Sequence, residues 1–258
     1  MKPRLSLKTA AHAKDDIFSA TASRKSDFEF TARVAAVFDD MLVRSVPFYL
    51  EQQAMIRELA KKFFVPETNV YDLGCSTGTT LVNLGLEFAG RAKQIIGYDN
   101  AEPMLAKARE KMNANELGDA VALKCVDLNG SFALDNASVV TMCWALQFIR
   151  PLQRARLIRR IARGMVDYGV LIVTEKVLTT STDMNRLFIE VYYDYKRRNG
   201  YSEEEIAKKR EALENVLVPY RIDENLELFQ SAGFHAATFF QWYNFVGFLC
   251  VKQGPRRS

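Results

Sequence analysis

Beyond residue 69 the apolar positions of this chain change period repeatedly, and the alternation predicts an architecture. Asn69-Val70-Tyr71-Asp72-Leu73-Gly74 is a short β-type run closed by glycine, and Thr79 to Phe88 follows it with apolar residues three and four apart. Gln94-Ile95-Ile96-Gly97-Tyr98-Asp99 is the second run. A helix from Glu102 to Met112 follows, with Pro103 in the first turn, where a missing N–H costs nothing. Ala120 to Val126, which ends in Asp127, Ser138 to Trp144 and Val170 to Thr174 are three further strands, and Pro151 opens an Arg-rich helix before the last. Strands alternating with helices build parallel βαβ units, so the pattern predicts a doubly wound, mostly parallel α/β sheet.

The flanks carry other periods. From Phe28 to Phe64 the pattern is helical: Phe30, Val34, Val37, Phe38 and Met41 recur at helical spacing, as do the residues from Tyr49 to Phe63 after Pro47. Past Lys176 the alternation stops. Asp183 to Arg198 and Ser202 to Val216 read as a helical pair split by Asn199-Gly200, with Ser202 and Glu205 spaced as a capping box. An insertion at about 182–216, packed over the carboxyl edge of the sheet, is its expected place. Glu224 to Ala232 is a final helix, and Ala236 to Trp242 with Asn244 to Val251 predict an antiparallel C-terminal hairpin. Residues 1–14 and 253–258 read as tails around a single domain of 15–252.

Composition narrows the function. The 258 residues are 48% hydrophobic and 26% charged, which excludes collagen-like, coiled-coil and low-complexity chains. Apolar runs are too short to span a bilayer and the basic first residues lack a signal-type apolar stretch, so a cytoplasmic address without membrane contact is expected. The four cysteines form no CxxC pair and the two histidines, His12 and His235, are far apart, which leaves little for a zinc site or a His-based triad. Apart from Cys75, which stands in the loop discussed below, these thiols are expected to pack as small apolar residues. A net charge of +4 does not by itself imply nucleic acid. The clusters Arg154 to Arg163, Lys196-Arg197-Arg198 and Lys208-Lys209-Arg210 read as solvated helix faces.

In a doubly wound sheet a ligand sits beyond the carboxyl ends of the strands, so the residues just after each strand bear the chemistry. The first strand runs into Asp72-Leu73-Gly74-Cys75-Ser76-Thr77-Gly78. Small residues at 74, 76 and 78 let a ligand approach the backbone and meet peptide N–H groups. The spacing differs from the G-x-G-x-x-G of dinucleotide binders. It is nearer to Asp-x-Gly-x-Gly-x-Gly, the first motif of S-adenosylmethionine-dependent enzymes, with Ser76 at the middle glycine. Asp99 ends the second strand, where a carboxylate accepts from both ribose hydroxyls, and Asp127 follows the third, where an adenine amino group would arrive.

Several stretches outside that loop add a closer likeness. Asp16-Ile17-Phe18-Ser19-Ala20, Arg33-Val34-Ala35-Ala36-Val37-Phe38-Asp39-Asp40-Met41, Arg44-Ser45-Val46-Pro47, Leu146-Gln147-Phe148, Lys196-Arg197-Arg198-Asn199-Gly200-Tyr201-Ser202 and Lys209-Arg210-Glu211-Ala212-Leu213-Glu214-Asn215-Val216 are among them. Together with Val70 to Ser76 they resemble the carboxy-S-adenosyl-L-methionine synthase family, from about residue 15 to 252.

The resemblance implies a Rossmann-like class I methyltransferase fold that does not transfer the methyl group. Such enzymes convert S-adenosyl-L-methionine and prephenate to carboxy-S-adenosyl-L-methionine and phenylpyruvate. The product feeds a downstream tRNA carboxymethyltransferase acting on the wobble uridine, so direct nucleic-acid contact is not needed. A homodimer is also implied, with Leu187, Phe188, Val191 and Tyr192 as a stripe to bury.

The resemblance further implies that Tyr49, Gly74, Cys75, Ser76, Asp99, Asn100, Asp127, Leu128 and Arg210 bind the sulfonium substrate. Arg210 is the catalytic candidate, because a new carboxylate needs a fixed cation and a guanidinium fork suits one. No side chain is an obvious general base, which fits a family chemistry in which the second substrate supplies one. One departure stands out: the family usually has Asn where this chain has Cys143, a weaker hydrogen-bonding group. Two other readings stay open at this point, an ordinary methyltransferase acting on a small molecule or RNA, and a non-catalytic binding scaffold.

Overall fold

A parallel strand covered on both faces is shielded along its whole length, and the central strand of this protein is buried at every position from Asn69 to Leu73, its polar Asn69 and Asp72 included. The computed structural model describes residues 14–18, 29–214 and 216–254. Its strands are β1 (Asn69–Leu73), β2 (Gln94–Asp99), β3 (Val121–Cys125), β4 (Ala137–Cys143), β5 (Met165–Leu178), β6 (Tyr220–Arg221), β7 (Phe234–Trp242) and β8 (Phe245–Lys252). They lie in the order β3-β2-β1-β4-β5-β8-β7, with β6 beside the end of β5. The first five pair in parallel, and β8 runs antiparallel to both β5 and β7. The chain reverses its winding between β1 and β4, which is where such a sheet opens a crevice.

Helices α3 (Thr79–Phe88), α4 (Glu102–Ala114), α5 (Pro151–Gly164) and α8 (Ile222–Gln230) cover the two faces. Two apolar clusters result, one built on Leu73, Val140, Ile158 and Phe248 and one on Val70, Leu81, Ile95 and Ile172. Ahead of the sheet come α1 (Ala32–Ser45) and α2 (Tyr49–Phe63), divided by Phe48 in the left-handed region at φ 55°. The inserted pair is α6 (Thr182–Arg198) and α7 (Glu203–Leu213), whose Ser202/Glu205 capping box is formed in both directions. The tail expectation for residues 1–13 and 255–258 lies outside the described residues, as do Ser19 and Ala20.

Two differences from the sequence pattern have physical causes. β5 is much longer than Val170 to Thr174, because Asp167-Tyr168-Gly169 is a bulge with Tyr168 at φ 62° inside a continuing strand at one end, while pairing with β8 and β6 carries it on to Leu178 at the other. The Arg-rich helix is not solvated all round. Arg154 on α5 is 1% exposed, and its guanidinium donates to the carbonyls of Ile149 (3.0 Å), Gln147 (3.2 Å) and Val218 (2.6 Å) over the ring of Tyr220. It pins two loops at the carboxyl edge, and removing it would take the donor from the Ile149 and Val218 carbonyls, whereas Gln147 O would keep Val218 N–H at 3.0 Å. Of the cysteines expected to pack, Cys250 is buried and Cys143 partly so, but Cys125 is exposed; Cys75 is buried too. Among the described residues no helix is long and apolar enough to cross a membrane.

Candidate active site

The carboxyl ends of β1, β2, β4 and β5 open into a cavity of about 910 Å³ that α1, α6 and α7 enclose from the other side. Its wall includes every residue singled out in the sequence: Tyr49, Gly74, Cys75, Ser76, Asp99, Asn100, Asp127, Leu128, Cys143 and Arg210. They come from six separate elements, and the topology alone brings them together.

After β1 the backbone takes left-handed values at Gly74 (φ 76°), Ser76 (φ 51°) and Gly78 (φ 82°). At Gly74 the conformation and the space both demand glycine, since a Cβ there would lie 2.5 Å from that of Ala145. The expectation that this loop meets a ligand with its peptide N–H groups needs correction. Gly74 and Cys75 N–H both donate to Tyr98 O (2.7 and 2.9 Å), Ser76 N–H to Asp99 Oδ2 (2.8 Å), and Gly78 N–H to Cys75 O. The loop is fastened to β2 by those donors, and what it offers a ligand is close approach.

Asp99 holds the loop from the other side, accepting from Ser76 N–H and, at 2.9 Å, from Ala101 N–H. These two donors leave its carboxylate acceptor capacity toward the cavity, while burial raises its pKa. Deeper in, Asp72 is 1% exposed, accepts from Thr141 Oγ1 at 2.7 Å, and is pushed up by burial to about 7. Asp127 is exposed, and its Oδ1 is taken by the N–H and the amide of Asn129, both at 2.9 Å. Leu128 lines the cavity with Ile149, which lies in the same apolar cluster.

Sequence reasoning missed the clasp behind the loop. Asp39 on α1 accepts from Thr77 Oγ1 (2.6 Å) and pairs with Lys111 of α4 (2.7 Å), whose ammonium also reaches Thr79 Oγ1 (2.9 Å). The signal was present in the run around Asp39, but nothing in the spacing told which partner it would meet. Tyr49 is buried with its hydroxyl hydrogen bonded to Thr79, and burial, with Asp39 next in importance, drives its pKa upward. Burial, and after it the Asp72 charge, also raises the thiols of Cys75 and Cys143. Neither is a thiolate nucleophile.

The opposite end of the cavity is cationic, and here the charge-cluster expectation is overturned. Lys196 is 5% and Lys209 6% exposed; both line the cavity with Lys176 of β5 rather than a solvated helix face. The reason is the aromatic surface beneath them: Lys176 and Lys196 each lie 4.5 Å from the Tyr192 ring, and Lys209 lies 5.4 Å from Tyr201. Lys209 Nζ donates to Ser45 Oγ at 2.9 Å. Arg210 is exposed on the same wall, and no hydrogen bond or ion pair holds its guanidinium among the described residues.

The arrangement is therefore a crevice with a fastened glycine turn and two carboxylates at one end, aromatic walls, and a set of cations at the other. Comparison with known proteins fits that geometry. Residues 70–169 match the family model for a methyltransferase domain. A carboxy-S-adenosyl-L-methionine synthase of Methylococcus capsulatus is 52% identical over 241 residues, 93% of this chain and 100% of that one. Enzymes with the same designation from Desulfotalea psychrophila (42% identity, 94% and 98% coverage) and Nitratiruptor (40%, 93% and 98%) are similar over the same extent. Among solved structures, an O-methyltransferase family protein from Burkholderia thailandensis superposes with a TM-score of 0.64 at 15% identity, over 96% of this chain and 65% of that one. A magnesium protoporphyrin IX methyltransferase from Synechocystis, solved with bound SAH, gives 0.54 at 14% identity, over 80% and 85%. At such identities these two likenesses concern the fold, which is the Rossmann-like α/β arrangement read from the sequence.

Proposed function

The chain belongs to the carboxy-S-adenosyl-L-methionine synthase family, and from that premise we propose that it converts S-adenosyl-L-methionine and prephenate to carboxy-S-adenosyl-L-methionine, phenylpyruvate and water. The atoms balance without an external oxidant or base. As the prephenate ring aromatises, its ring carboxylate leaves as carbon dioxide and its ring hydroxyl as hydroxide. The hydroxide takes a proton from the sulfonium methyl, and the resulting carbanion, stabilised by the adjacent positive sulfur, forms a carbon–carbon bond to the carbon dioxide. Placement is what the protein must supply, together with exclusion of water.

Its residues suit that task. Asp99 has acceptor capacity for ribose hydroxyls, the loop from Gly74 to Ser76 allows the nucleoside to lie against backbone, and Asn100, Asp127 and Leu128 border the base. Tyr49 and Cys143 line the floor, and Arg210 on the rim is the guanidinium for the newborn carboxylate. The observation that carries the reading is the joining, in one cavity, of nucleoside-type strand ends to a cationic wall. A methyl transferase of the ordinary kind has no need of such a wall.

Incubation of the purified protein with both substrates tests it by mass spectrometry. The expected result is a sulfonium nucleoside heavier by one carbon dioxide, formed in step with phenylpyruvate. Unchanged S-adenosylmethionine after many equivalents of prephenate would overturn the proposal and return the ordinary methyltransferase to the front. We also place the enzyme in the cytoplasm, upstream of a tRNA carboxymethyltransferase that consumes the product, and as a homodimer. Met184 and Leu187 on α6 are 51% and 47% exposed and open to a second copy, whereas Tyr192 is buried on its own subunit. Sedimentation as a dimer at micromolar concentration is the expected outcome.

A further inference from the structure

Buried ammonium groups are costly unless something negative faces them, and this cavity holds three with too little to face. Lys176 comes from the end of β5, Lys196 from α6 and Lys209 from α7, so three separate elements converge on one wall. Their compensation can be counted. Asp15 lies 4.0 Å from Lys209 Nζ but already accepts from the Tyr201 hydroxyl at 2.6 Å. Asp40 is paired with Arg44 at 3.2 Å. Glu175, next to Lys176 in sequence, turns the other way and accepts from Leu146 N–H at 3.0 Å near Arg154. Glu214 is exposed at the rim. With every lysine protonated, as an anion would draw them, the three lysines and Arg44 stand against the two carboxylates Asp15 and Asp40, which leaves two positive charges for a ligand to meet.

We propose that Lys176, Lys196 and Lys209 form the subsite that receives the second substrate as a dicarboxylate, holding its two anionic groups beside the sulfonium methyl. The inference rests on the functional reading above and goes beyond it by assigning the carboxyl donor a place. Charge arithmetic selects a dianion over a monoanion, and the ring faces of Tyr192 and Phe245 beside the ammonium groups offer apolar surface for a carbocycle. Beside it the 2% exposed Asn244 has a shielded amide oxygen with no partner among the described residues, a further polar group left uncompensated at this end. The empty site bears the signs of a held-back charge. Burial, and then the neighbouring lysines, press Lys196 down to about 6, while burial holds Lys176 and Lys209 near about 8. An arriving dianion reverses that pressure.

The test is calorimetry of prephenate binding to the full-length protein loaded with S-adenosylhomocysteine, which has no methyl group to react. Lys176→Met and Lys196→Met should each weaken prephenate at least about tenfold, with S-adenosylhomocysteine affinity within about twofold of the parent. Both variants should melt at or above the parent temperature, because a methionine removes a buried charge and keeps the packing. A purely structural lysine would give the reverse. Unchanged prephenate affinity in both variants, equal weakening of nucleoside and prephenate, or no prephenate binding to the parent would each overturn the subsite. A parent protein that binds prephenate through these lysines yet forms no carboxylated product would instead sink the functional reading and leave the subsite standing.

Discussion

The two ends of the cavity solve opposite problems. At the strand ends almost every polar atom is engaged before any ligand arrives: Asp99 is tied to two backbone N–H groups, the glycine loop to Tyr98, and Asp39 to Lys111 and Thr77. At the insertion end the charges are gathered and left short of partners, with Lys176 and Lys196 sharing one tyrosine face. The first is a rigid mould whose energy has been settled within the fold. The second is destabilised until filled, and that difference suits a constant nucleoside on one side and a consumed, charged reactant on the other.

The largest effect should come from the mould. Asp99→Ala removes the proposed ribose acceptor and frees the Ser76 and Ala101 N–H groups, so affinity for S-adenosylmethionine and for its carboxylated form should fall alike, by roughly 100-fold. Calorimetry with both ligands checks this. Loss confined to one of them would break the division between the ends. Arg210→Ala comes next and should do the opposite. It should weaken the carboxylated ligand about tenfold, as loss of a charge-assisted contact at an exposed rim does, and leave S-adenosylmethionine within about twofold. Equal affinities for the two ligands in that variant would remove Arg210 from its assigned role.

The ends should also respond to pH with opposite sign. Asp72 has its pKa raised to about 7 by burial, above its ordinary 3.8, so the folded protein binds a proton there that the unfolded chain has released. Its contribution is fully present below pH 4 and is lost as pH rises to 7. Lys196 is lowered from 10.5 to about 6, so the unfolded chain is the one that binds more protons. Stability should therefore recover as pH rises from 6 toward 10, each group having a limiting slope of about 1.4 kcal/mol per pH unit. In ligand-free melting curves Asp72→Asn should flatten the acid limb and Lys196→Met the alkaline one. Limbs that are unchanged in both variants would show that neither group carries the linkage.

How far the sequence foretold this can be read residue by residue. The strands and their parallel direction were legible because burial on both faces leaves runs such as Val70 to Leu73; the loop from Gly74, Asp99 and Asp127 followed from where strand ends meet, whereas Tyr49, Asn100, Leu128 and Arg210 came only with the family resemblance. Lys196, Lys209 and Arg154 were not. A basic residue in a helix reads as solvated unless the aromatic or carbonyl surface beneath it is known, and Tyr192, Tyr201 and Tyr220 acquire that role only through tertiary packing. The engaged N–H groups of the loop were equally invisible, since their acceptor, Tyr98 O, lies on another strand.

The smallest expected effect falls on the floor between the two ends. Cys143 sits in register with Thr174 of β5, whose buried hydroxyl meets nothing better than that thiol among the described residues, and a thiol is a poor partner. Cys143→Asn returns the residue usual in the family and brings an amide within reach of that hydroxyl and of the cavity. The gain should be about 0.5–1 kcal/mol, seen as a modestly higher melting temperature and about threefold tighter S-adenosylmethionine binding. The change is informative because it tests the mould where it is least finished. If asparagine weakens nucleoside binding instead, the cysteine is a fitted part of this floor, and the rigid end extends further toward the cations than the hydrogen bonds around Asp99 indicate.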